Sequence, residues 1–197
     1  MRTAILISGR GSNMGALIEA AKAPDYPAQI VLVAANLPEA AGLERARAAG
    51  LATASVDHRP FGKDREAFER ALDDVLQAHG VELIALAGFM RVLTPWFVAR
   101  WQGRLLNIHP SLLPEFRGTQ THARALAAGV AEHGCTVHFV VPELDAGPTI
   151  LQARVPVLPG DDEASLTARV LAQEHLLYPQ ALALVASGAV HLDETAV

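Results

Sequence analysis

Asn107 and His109 stand two residues apart where the apolar run "RLLNI" ends. A carboxamide beside an imidazole suits attack on a carbonyl. The first is a neutral donor for an oxygen that becomes negative, and the second carries a proton near neutral pH. The pair fits acyl transfer better than hydride or phosphoryl transfer. Spacing of i, i+2 along a strand puts both side chains on one side. Pro110, Pro114 and Gly118 follow, so "HPSLLPEFRG" reads as a stiff loop that fixes the imidazole, although a half-buried histidine at an ordinary strand end fits the same residues. A third group is needed to decide. Asp145, in the turn-forming "LDAGP", is the candidate, because local N–H groups can hold a carboxylate there. Beside His109 it would favour the imidazolium and organise a water; alone, it would serve only its turn.

A second site is expected earlier. "SGRGSNM" follows the first apolar run and opens a helix, where backbone N–H groups and the positive helix end attract anions. Gly9 and Gly11 permit close backbone approach, and Ser12 or Asn13 can cap the helix while adding side-chain donors. Met14 stands where a dinucleotide fingerprint needs its third glycine, and the second apolar run ends in "VAAN" without the acidic residue that would meet a ribose. NAD is therefore disfavoured, the Walker A pattern is absent, and a small phosphate cradle remains. The glycines could also serve only a tight turn.

The elements that must position these residues are short apolar runs alternating with helical patterns. Strands are expected at 3–8, 28–35, 52–56, 82–87 and 104–108, with a helix over 64–79 that carries Phe68, Leu72, Val75 and Leu76 on one face and sets charged residues opposite. Strands apolar on both faces and joined by helices imply a doubly wound α/β fold, a mostly parallel sheet with helices on both faces. Beyond residue 130, "CTVHFVV" and "TILQARVPV" lie close together across "PELDAGP", which predicts an antiparallel element near the C-terminal part. A long helix opened by "GDDEAS" should follow, kinked or restarted at Pro179 and terminated near Gly188.

The chain of 197 residues is 51% hydrophobic, enough for one domain over 1–197 with a substantial core. Its longest apolar runs fall far short of the roughly 20 residues a membrane helix needs. No signal-peptide cleavage pattern follows Met1, so the cytoplasm is the expected compartment. A net charge of −5 without a Lys/Arg cluster argues against nucleic acid, so a few placed arginines or helix ends must hold any anionic ligand. Cys135, the single cysteine, excludes an internal disulfide and reads as a strand or core residue. His138 alternates with Val137 and Phe139 and reads first as a satisfied interior histidine, second as support for the site. The remaining histidines show no close ligand spacing, so no metal is expected.

Taken together, "GRGSN", "LAGFMRVL", "LLNIHPSLLPEFRG", "EHGCTVHFV" and "ELDAGPTILQARVPV" give a chain that resembles the phosphoribosylglycinamide formyltransferase family of de novo purine synthesis, from the first strand to about residue 188. The resemblance implies a Rossmann-like formyltransferase fold and formyl transfer from 10-formyltetrahydrofolate, as cosubstrate, to the amine of 5-phosphoribosylglycinamide, by a monomer or homodimer. It implies Asn107, His109 and Asp145 as the catalytic trio and Gly11, Ser12 and Asn13 as the phosphate turn, with Glu174 near the ribose. Folate contacts are implied for Arg65, Met90, Arg91, Val92, Leu93 and Asn107. Methionyl-tRNA formyltransferase and formyltetrahydrofolate hydrolase share related motifs. The first is expected to carry an extra C-terminal domain and basic surface, the second an extra N-terminal domain, so the purine reaction is the favoured expectation. A non-catalytic nucleotide-binding module is the rival of another class.

Overall fold

The computed structural model describes residues 1–192; the last five residues of the expected domain, and with them the end of the C-terminal tail, lie outside the described residues. Seven strands, β1 (Arg2–Ile7), β2 (Gln29–Ala35), β3 (Thr53–Ser55), β4 (Leu83–Leu86), β5 (Leu105–His109), β6 (Glu132–Phe139) and β7 (Thr149–Pro156), form one sheet in the order β3-β2-β1-β4-β5-β6-β7. The first five pair in parallel, and β6 and β7 add antiparallel. Among the described residues six α-helices surround the sheet: α1 (Ser12–Ala20), α2 (Ala41–Ala48), α3 (Arg65–Ala78), α4 (Pro95–Arg100), α5 (Thr121–Ala128) and α6 (Glu163–Ala186). The expected α/β class, the five parallel strands and the antiparallel addition are all present.

Alternation along the strands divides the core in two. Ile5, Ile7, Val33, Ala85, Leu106 and Ile108 share one cluster with Leu17 of α1, Leu43 of α2, and Leu166, Val170 and Tyr178 of α6. On the opposite face Ala4, Leu6, Leu32, Ile84, Leu86 and Leu105 pack with Phe68, Leu72 and Leu76 of α3 and Phe97 and Trp101 around α4. Beyond Leu105 this second face turns polar, because Asn107 and His109 continue the alternation of β5, with Thr136 and His138 opposite them on β6.

The apolar stripe of α3 is as expected, but its polar positions are not all solvated. Glu69 and Asp73 are buried and tie α3 to α4: Glu69 accepts from Thr94 N at 2.7 Å and from the Thr94 hydroxyl, and Asp73 accepts from Trp101 Nε1 at 2.9 Å. Ionisable groups are buried only where donors meet them, and these donors lie too far along the chain for periodicity to find. Of the two outcomes expected at Pro179, a second segment is not found: α6 is one helix from Glu163 to Ala186 with Pro179 inside it. Gly188 follows its end in the left-handed region (φ 77°) and donates to Val185 O, the terminator role expected of it. None of the described helices is long and apolar enough to cross a membrane.

Tyr178 of α6 reaches under the sheet, its hydroxyl 2.9 Å from Leu86 O and 3.3 Å from Leu106 O, so one phenol meets the two strands that end at the polar patch. Tyr178→Phe removes the donor from buried carbonyls and is expected to cost about 1–3 kcal/mol, read as a lower denaturant midpoint with an unchanged m value. An unshifted midpoint would show that the hydroxyl contributes nothing to holding β4 and β5.

Candidate active site

The register of β5 and β6 sets Asn107 against His138 and His109 against Thr136. His138 Nδ1 lies 2.8 Å from Phe139 O and donates to it, which leaves Nε2 to accept from Asn107 Nδ2 at 3.2 Å. Burial, the largest influence, pushes the His138 imidazole below its ordinary value and keeps it neutral. The Asn107 carboxamide is thereby oriented, with its second N–H left for a bound oxygen.

Asp145 arrives from the loop between β6 and β7. Its backbone is left-handed (φ 49°), a conformation that aspartate tolerates, and Oδ2 accepts from Gly118 N at 2.9 Å. Two residues on, Gly147 lies so close to the sheet that a Cβ there would stand 1.8 Å from Phe139 O, so only glycine lets this loop fold back. The result is Asp145 Oδ2 at 3.4 Å from His109 Nδ1 and Oδ1 at 3.8 Å from His138 Nε2, all three side chains being buried. His109 Nε2 faces Phe116 O at 3.0 Å, so both ring nitrogens look at oxygen acceptors and only an imidazolium can donate to both.

The loop behind His109 is anchored by residues that the sequence did not single out. Thr136 Oγ1 donates to Ser111 O at 2.7 Å and accepts from Leu113 N at 3.1 Å, while Gln152 Nε2 donates to Leu113 O at 2.8 Å. Threonine in a strand and glutamine on an outer strand carry no motif; the usable signal for Thr136 was a polar side chain inside an otherwise buried run, a signal that the half-buried β7 does not give for Gln152.

One cavity opens on the cluster, and a second adjoins the first through Met90. The larger, about 280 Å³, is walled by Phe89, Met90, Arg91, Val92, Leu93, Asn107, His138 and Asp145, with the 140–144 loop opposite. Arg65 is not part of its wall but donates to Val92 O at 3.2 Å, bracing the segment. His109 lines neither cavity and meets the larger one through Asp145. The smaller, about 270 Å³, is bounded by Ser8, Gly9, Arg10, Gly11, Ser12, Asn13, Ala87, Gly88 and Met90, so Met90 belongs to both.

The cradle loop departs from expectation in its capping. Gly11, not Ser12 or Asn13, is the N-cap of α1, in the left-handed region (φ 64°) and with no side-chain cap. Asn13 lies inside the first turn of α1 and is buried, its Nδ2 donating to Glu174 Oε2 on α6 at 2.7 Å while Oδ1, the atom a cap would use, has no hydrogen-bond partner among the described residues. Burial pushes the Glu174 carboxyl above its usual range, with the Asn13 bond opposing. From outside, α2 braces the loop: Gly42 N donates to Gly9 O at 3.0 Å and Arg45 Nη1 to Arg10 O at 3.0 Å, contacts that the local pattern did not announce. Cys135 is buried, and desolvation pushes its thiol up to about 12, against nucleophilic use. Among the described residues no group of three or more His, Cys, Asp or Glu is placed to hold a metal.

A family model described as formyl transferase matches residues 1–182. The phosphoribosylglycinamide formyltransferase of Escherichia coli (strain K12) is 48% identical over 196 residues, covering 100% of this chain and 92% of that one. The trifunctional purine biosynthetic protein adenosine-3 of Bos taurus is 50% identical over 193 residues, but the chain spans only 19% of that relative's length. Among solved structures, the phosphoribosylglycinamide formyltransferase of Brucella melitensis is 52% identical with a TM-score of 0.90, covering 96% of this chain and 97% of that one.

Two outcomes follow from the anchored loop. Thr136→Val removes both bonds to Ser111 and Leu113 and should destabilise by about 1–3 kcal/mol in a denaturant titration; no change would mean that Pro110 and Pro114 suffice. His133, in ring contact with His122 and Phe116, has its imidazole pushed down to about 4, by burial first and by His122 second. The unfolded chain therefore binds a proton that the folded one refuses, so this contribution is complete above about 6.5 and is lost as pH falls toward about 4. His133→Gln should flatten the fall of thermal midpoint across that window, and an identical slope would refute the assignment.

Proposed function

The chain belongs to the formyl transferase family, and on that premise we propose that it transfers the formyl group of 10-formyltetrahydrofolate to the primary amine of 5-phosphoribosylglycinamide, a step of de novo purine synthesis. The observation that carries the reading is the meeting of Asp145 and His109 beside Asn107, at an apolar cavity that shares Met90 with a glycine-rich anion cradle. The reading takes residues 1–197 as one catalytic domain, monomer or homodimer, working in the cytoplasm without a metal.

Gly11, Ser12 and Asn13 would hold the substrate phosphate at the start of α1, where N–H groups and the helix dipole favour an anion. Arg10, beside them, adds positive charge. Glu174, bonded to Asn13, would meet the ribose next to that phosphate. The apolar walls formed by Phe89, Met90, Val92 and Leu93 suit a flat heteroaromatic ring, whose polar edge would bond the backbone of the same segment. Arg91 on that wall and Arg65 behind it supply cationic groups for a carboxylate tail.

The acceptor amine attacks the formyl carbon, forming a C–N bond as the carbonyl oxygen becomes negative. Asn107 would donate to that oxygen, and protonated His109, whose own N–H groups face Asp145 and Phe116 O, would add positive charge nearby. Collapse breaks the bond to the folate nitrogen, which takes up the proton that the acceptor amine gives away. Asp145 would hold the water that relays it while keeping His109 oriented. Gly118, whose N–H secures Asp145, belongs to the same device.

Three acceptors offered with 10-formyltetrahydrofolate test the reading by absorbance of the folate product. Turnover is expected with phosphoribosylglycinamide and not with water or charged initiator tRNA. Turnover with water alone would identify a hydrolase, turnover with tRNA another folate-dependent formyltransferase, and none at all a binding module. His109→Ala and Asp145→Asn should each lower kcat by ~10²–10⁴-fold with KM nearly unchanged. Equal loss in binding would refute their catalytic roles.

A further inference from the structure

A chain of polar groups outside the trio crosses the carboxyl edge of the sheet. Ser8 follows β1, Asn36 follows β2, His58 lies beyond β3 and Met90 beyond β4, so they come from successive strands in the spatial order β3-β2-β1-β4. Met90 N donates to Ser8 Oγ at 2.8 Å, and Ser8 Oγ donates to Asn36 Oδ1 at 2.5 Å. His58 Nδ1 closes the far end, 2.9 Å from Asn36 O and 3.1 Å from Asn36 Nδ2, donating to the first or accepting from the second according to tautomer. Asn36 is 3% exposed, so its carboxamide would be costly to bury without these partners. A single hydroxyl proton fixes the sense of the relay: Ser8 must accept from Met90 and give to Asn36.

Ser8 also grips the same segment a second time, its N–H donating to Gly88 O at 3.1 Å. Residues 88–90 are thus clamped on both sides by one serine. They are also the partition between the cavities, since Gly88 faces the smaller, Phe89 the larger and Met90 both. Ligands of the two cavities can react only if this partition holds them about 3–3.5 Å apart, and a 1 Å misplacement costs on the order of 10²-fold in rate.

We infer that Ser8 and Asn36 are positioning residues: through the Met90 peptide they hold the shared wall that sets the formyl donor against the acceptor amine. The inference rests on the proposed reaction for its kinetic half but not for its structural half. It predicts that Ser8→Ala frees the Met90 amide, which then exchanges with solvent at least ~10-fold faster, while Ser8→Thr, which keeps the hydroxyl, restores protection. In turnover, Ser8→Ala and Asn36→Ala should each lower kcat ~10-fold with both KM values within about threefold. The double variant should lose no more than the worse single one, because both act along one path.

Unchanged Met90 exchange in Ser8→Ala overturns the inference whatever the activity. So does a loss confined to the KM of the phosphorylated substrate, which would make Ser8 a phosphate ligand, or a loss that Ser8→Thr does not repair. If the wild-type chain transfers no formyl group, the reaction reading fails, and the Met90 exchange rates alone still decide whether the clamp exists.

Discussion

A carboxylate of the β6–β7 loop meets an imidazole at the end of β5 at 3.4 Å, and that approach depends on how the sheet is closed. Neither group could find the other locally. The parallel strands deliver His109 to the carboxyl edge, where an open α/β sheet presents its ligands. The antiparallel β6 and β7 then return the chain past β5, and a glycine under the Phe139 carbonyl lets the loop lie flat enough for Asp145 to reach inward. A one-residue slip between β5 and β6 would turn Thr136 and His138 to the other face and dissolve the cluster.

Polar residues on this face are kept by mutual satisfaction rather than by exposure. His138 is neutral because burial makes its charge costly, and its one ring proton goes to Phe139 O, so its lone pair is committed to Asn107. Thr136 and Gln152 fix the backbone that follows His109 in the same economical way, each hydroxyl or amide serving carbonyls and N–H groups of the 111–113 segment. Around the cradle, α2 and α6 play the corresponding part, the first through Gly42 and Arg45, the second through Glu174.

Strand periodicity made the parallel half of the fold legible, since β1, β2, β4 and β5 are short apolar runs with helical spacers. The antiparallel return was legible from two β-rich runs separated by "PELDAGP". What escaped were the groups whose partners come from distant elements. Glu69 and Asp73 read as a solvated helix face because their donors, Thr94 and Trp101, belong to another helix. Asn13 read as a cap, whereas the left-handed Gly11 starts α1 and the Nδ2 partner of Asn13, Glu174, lies on the last helix. Pro179 left a kink or a second segment open because sequence shows the missing N–H and not the burial of Tyr178 and Leu182 in the core on both sides of it. Asn107, His109 and Asp145 were nameable from residue type and turn chemistry, whereas their mutual distances required the register of β5, β6 and β7.

Met90 bounds both cavities, and of the three methionines it is the most open, 72% exposed against 43% for Met1 and 0% for Met14. Oxidation of a thioether follows access and yields a polar, chiral sulfoxide in place of a flexible apolar group. One added oxygen atom at this position therefore alters the lining of two compartments together. The side chain that lines both is also the most open of the three thioethers to a peroxide.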